Sequence, residues 1–74
     1  DGRMVVLAFD LPQAGEVRVD CIDATGRVVH IGLRNARAGR NEVSFDPHFL
    51  KPGWYQVRIQ SAASAFWSPL IVTP

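Results

Sequence analysis

Six consecutive residues, Glu16-Val17-Arg18-Val19-Asp20-Cys21, alternate polar and apolar without a break, and no window of ten or more residues elsewhere carries a helical period. Period-two side chains line opposite faces of a strand. The chain is therefore predicted to be all-β, with Val17, Val19 and Cys21 turned toward a core and Glu16, Arg18 and Asp20 turned away from it.

The same rule places further strands at residues 4–9, 27–31, 41–45, 54–61 and 66–72. Between them stand turn residues. Pro12 and Gly15 break the chain after the first strand, Asp23 and Gly26 after the second, and Pro52 and Gly53 before the fifth. Residues 32–40 lose all alternation and carry Arg34, Arg37 and Arg40, so they are expected to form the main exposed loop. One helical turn is expected at residues 48–50, after Asp46-Pro47. Pro69 lacks the N–H a ladder needs, which marks the last strand as an edge or as bulged. Short strands at this spacing favour two antiparallel sheets packed face to face, with a small barrel as the alternative.

With 74 residues the chain is one domain, residues 1–74, near the size at which a single apolar core yields only a few kcal/mol. A net charge of +1 lacks the footprint of a nucleic-acid binder. The longest apolar run, residues 4–9, is far short of the ~20 residues that cross a bilayer as a helix, so neither nucleic acid nor membrane insertion is expected. Asp1-Gly2-Arg3 leads straight into a strand-like run with no leader pattern, and the expectation is a segment excised from a longer precursor. The lone Cys21 has no partner for an internal disulfide and, by its phase, is expected to be buried and inert.

Val19, Tyr55 and Val57 are the candidate core. Trp54 and Trp67 fall on the opposite row of their strands and are candidates for an exposed aromatic platform for sugars or proteins, or for a contact with a preceding domain. Arg34, Arg37 and Arg40 read first as a solvated loop, and are otherwise a candidate docking cluster for an acidic partner or a lipopolysaccharide headgroup. His30 and His48 are too few and too poorly accompanied for a structural zinc site. Ser44, Asp46 and His48 crowd one turn without a hydrolase motif around them. No catalytic residue, metal site or cofactor is expected.

The turns also carry a resemblance. Leu11, Pro12 and Gly15 precede a strand, Asp23, Gly26 and Arg27 follow it, Gly39 introduces a strand ending at Asp46, and Gly53 with Tyr55 opens a late strand. This order resembles the carboxy-terminal sorting domains of type IX secretion cargo and the closely similar Ig-like domain of the flagellar hook-capping protein. The resemblance covers nearly the whole chain. It implies a small Ig-like or fibronectin-III-like sandwich of six to seven strands, in which Asp23, Gly26, Arg27, Gly53 and Tyr55 are structural turn residues. It also implies a C-terminal module of a larger exported bacterial protein, secreted or held at the cell surface after passage through the periplasm, with the secretion apparatus or the preceding domain as its partner. The chain lacks the Asn-Pro element with which such domains open, and Pro69 stands where a basic residue is common. The alternatives are accordingly an accessory Ig-like binding or spacer module, or a structural subunit that self-associates through its sheet edges.

Overall fold

The computed structural model describes residues 4–74, so the lead-in at residues 1–3 lies outside the described residues. Six strands make two antiparallel sheets. Strands β1 (Val5–Leu11) and β4 (Gly39–Phe45) form one; β2 (Gly15–Asp23), β3 (Val28–Ala36), β5 (Gly53–Gln60) and β6 (Ala65–Val72) form the other, in the order β3-β2-β5-β6. The sheets face each other as a sandwich and do not close into a barrel.

The core is built by the alternation. Val17, Val19 and Cys21 on β2 lie beside Tyr55, Val57 and Ile59 on β5, with Val19 directly opposite Ile59 and Cys21 opposite Val57. From the smaller sheet Phe9, Leu11, Val43 and Phe45 close over them, and Leu50 fills in behind a 3₁₀ turn at Pro47–Phe49. That turn falls one residue earlier than expected, because the Asp46 carboxylate caps it by accepting the His48 N–H at 2.9 Å. β6 is an edge strand, as Pro69 indicates.

The expected loop at residues 32–40 is not a loop. Residues 32–36 extend β3 and residues 39–40 open β4, so that only Arg37 and Ala38 lie between these two strands. A β-bulge interrupts the strand, since Val19 pairs with Gly32 but Asp20 pairs with His30, leaving Ile31 as an extra residue; beyond it Leu33 faces outward and Arg34 inward, so no polar/apolar alternation marks the extension. His30 and Leu33, three apart in sequence, consequently share one face, which no period-two count detects. Gly32 has φ 150° and a Cβ on it would lie 2.8 Å from the Arg34 guanidinium. The corner after β3 is clamped by Asn41, whose side chain accepts the Arg37 N–H at 3.1 Å and donates to the carbonyls of Arg37 and Gly39 at 2.8 and 3.1 Å.

Candidate functional site

The hairpin between β2 and β3 is ordinary turn chemistry put to use as a register pin. Asp23 Oδ1 accepts hydrogen bonds from the backbone of Thr25 and Arg27, both at 2.9 Å, and from the Thr25 hydroxyl at 2.7 Å. These bonds, that of Thr25 first, hold the Asp23 carboxyl below its usual range. Gly26 supplies φ 89° and donates to the Asp23 carbonyl at 3.0 Å. Arg27 contributes its backbone N–H to this carboxylate. Gly53 opens β5, and two residues on the buried Tyr55 donates its hydroxyl to the Lys51 carbonyl at 2.7 Å, so the ring fills the core while its polar end is satisfied at the rim.

Because that pin sets the pairing, four side chains line up across all four strands of the larger sheet on its outer face. His30, Asp20, Arg58 and Trp67 are successive cross-strand neighbours. Asp20 was expected in solvent with Glu16 and Arg18; it is on the outer face but its side chain is 0% exposed. The reason is the set of side chains packed around it. Arg58 Nη2 donates to Oδ2 at 2.9 Å, His30 Nδ1 lies 2.6 Å from Oδ1, and Arg18 Nε is 3.4 Å from Oδ2. Arg18 Nη2 also reaches the His30 ring, 3.0 Å from Nδ1 and 3.3 Å from Nε2.

Burial drives the Asp20 carboxyl upward, but the hydrogen bonds from Arg58 and His30 and the charge of Arg18 outweigh it, and the group stays below its ordinary value. Beneath it, burial first and the Asp20 charge second push the Cys21 thiol up to about 11. Arg58 continues the row outward: its guanidinium lies over the Trp67 ring, 5.7 Å from the centroid, and its Nε is buried without a hydrogen-bond partner. Chemically this is a neutralised carboxylate that fixes an arginine, which in turn backs an aromatic plate.

Trp54 and Trp67 both stand out from this face, 65% and 56% exposed. The arginine cluster is divided. Arg37 and Arg40 border one shallow hollow together with Glu42, whereas Arg34 lies on β3 opposite Val17, half-buried, and donates to the Leu33 carbonyl at 2.9 Å. Arg40 is also directly opposite Asp10, so this end of the molecule carries mixed charge. His48 Nδ1 is 3.3 Å from the Asp46 carboxylate already engaged in capping, and Ser44 is an exposed residue of β4. Sequence reasoning missed the Asp20 cluster. Its only trace is that Arg18, Asp20, His30 and Arg58 all sit on strands, three of them at outward positions.

Fold and site together define a small six-stranded antiparallel β-sandwich whose larger sheet presents an ion-clasped aromatic outer face. Comparison with family models, with curated proteins and with solved structures returned no match.

Proposed function

We propose that this domain is a non-catalytic C-terminal module that serves as a sorting and surface-attachment signal of a larger exported bacterial protein. One observation carries the reading: the motifs of the resemblance occupy the corners of a single sandwich in the expected order. Leu11 ends β1, Asp23, Gly26 and Arg27 make the β2–β3 hairpin, Gly39 opens β4 with Asp46 just after its end, and Gly53 opens β5. The edge position of β6 adds support, since an unpaired strand edge is a surface to which another protein can add a strand. In this reading the secretion apparatus engages the β6 edge.

The test is a fusion of residues 1–74 behind a reporter carrying a periplasmic export signal, expressed in a host with a type IX apparatus. Reporter at the cell surface or in the medium is the expected result, lost when Gly26→Val unfolds the hairpin. A folded fusion that stays in the periplasm overturns the reading.

A further inference from the structure

The outer face of the larger sheet carries a strip that none of the described residues covers. Trp67, Pro69 and Ile71 alternate outward along β6, and Trp54 stands directly opposite Ile71 on β5. Trp54, Trp67 and Ile71 are 65%, 56% and 54% exposed. At ~3.3 Å per residue and ~4.8 Å between strands, the strip is about 13 Å long and two strands wide. The two indoles and the isoleucine leave about 400 Å² of mostly apolar surface in water, the size of a functional patch but about half of the ~800 Å² each partner of a stable protein complex covers.

The strip is also one-sided. Gln56 lies opposite Pro69 and Arg58 opposite Trp67, so hydrogen-bonding side chains run along its β5 margin. Arg58 is held in place by Asp20 at 2.9 Å and lies over the Trp67 ring, while its Nε is unpartnered. Asp20 offsets the charge of Arg58, the second arginine on that carboxylate, Arg18, is set back on β2, and the Trp54 end carries no ionised group in Gln56, Pro69 or Ile71. An elongated, narrow surface of separated flat rings, edged by an amide and a fixed guanidinium whose charge Asp20 offsets, matches a chain of pyranose rings whose substituents are equatorial. Their C–H faces stack on indole while their hydroxyls project sideways to the polar margin.

We infer that this strip binds a linear, uncharged β-1,4-linked polysaccharide lying along β6, with Trp54 and Trp67 stacking on different sugar rings and Gln56 and Arg58 hydrogen-bonding the hydroxyls between them. This holds independently of how the module is exported.

The 74-residue chain is titrated with cellohexaose and with chitohexaose by tryptophan fluorescence and calorimetry, and its retention on insoluble cellulose and chitin is measured. Saturable binding to at least one sugar is expected, with Trp54→Ala and Trp67→Ala each weakening it about tenfold or more. Their unfolding midpoints should stay close to wild type because both rings stand in solvent. Val6→Ala, at a 57% exposed position on the other sheet, should leave binding unchanged. Failure to bind either sugar, binding undiminished in both tryptophan variants, or a salt-sensitive preference for polygalacturonate over the neutral hexaoses each overturns the inference. So does a dimer in light scattering that Trp67→Ala dissociates.

Discussion

Asp20 and Arg58 face each other across β2 and β5, 38 residues apart in sequence, with the guanidinium 2.9 Å from a carboxylate that has no solvent exposure. Around this pair the exposed His30 and Arg18 complete a cluster on the outside of the sandwich that shuts the Asp20 carboxylate, at its centre, off from water. Its energetics follow from that burial: Asp20 has lost its hydration and Arg58 part of its own, and Arg58 is the strongest of the contacts that compensate the carboxylate.

Replacing Asp20 with Asn keeps the shape and removes the charge, leaving Arg58 with an unpaired Nε and a weakened Nη2 contact. The expected cost is about 2 kcal/mol in urea unfolding. Arg58→Met, which leaves Asp20 with only its partly exposed partners, should also release Trp67, seen as a red shift in its emission.

The pH dependence has a definite sign. Asp20 titrates below its ordinary value of 3.8 in the folded chain, so in acid the unfolded chain binds a proton that the folded one refuses, and stability falls as pH drops. The contribution is complete above the ordinary carboxylate value and lost as pH falls through the lower folded one. Asp23 and Asp46 are shifted in the same direction. Thermal melts between pH 6 and pH 2 should therefore show a falling midpoint, with a shallower fall in Asp20→Asn that is not flat.

Val57 is 1% exposed at the centre of the larger sheet. Val57→Ala removes two methyl groups and leaves a cavity, a loss of about 2 kcal/mol from a domain whose net stability is a few kcal/mol. Circular dichroism should report a much lower midpoint or an unfolded chain; an unchanged melt would contradict the core assignment.

Gly32→Ala tests the bulge. At φ 150° a Cβ is strained whatever the space, and a cost of about 1–3 kcal/mol is expected. Because the Arg34 guanidinium it would touch is a flexible side-chain end, Arg34→Ala should recover little of that loss. Full recovery would assign the cost to the contact and not to the backbone.

Cys21 is buried with its thiol pushed up to about 11, and only the thiolate reacts readily. Ellman's reagent at pH 8 should label the folded chain very slowly and the urea-unfolded chain at once. Rapid labelling of the folded chain would place Cys21 outside the core.

The strands with unbroken alternation were legible from residues alone. The row of Val17, Val19 and Cys21 and that of Tyr55, Val57 and Ile59 are buried as the two-residue period requires, and Trp54 and Trp67 are exposed for the same reason. Pro69 marked an edge or a bulge, of which the edge is what β6 forms, and Asp23 and Gly26 marked a turn. At residues 32–40 the reading failed because, past the bulge at Ile31, β3 turns Leu33 outward and Arg34 inward, so the strand has no polar/apolar alternation to read. A bulge is a property of a pair of strands, and a single strand's pattern reports it only as lost periodicity.

Local alternation and corner chemistry thus sufficed to dictate an all-β chain, its buried rows and its hairpin, since both depend on side chains within a few residues of one another. Which strands became neighbours, and at what register, was decided only when the sheets assembled. That pairing brought Asp20 to Arg58 and His30, and Arg58 to Trp67. A carboxylate at an outward strand position is a solvated group in the sequence; side chains delivered from two other strands exclude its water, and no local rule encodes contacts 10 and 38 residues away.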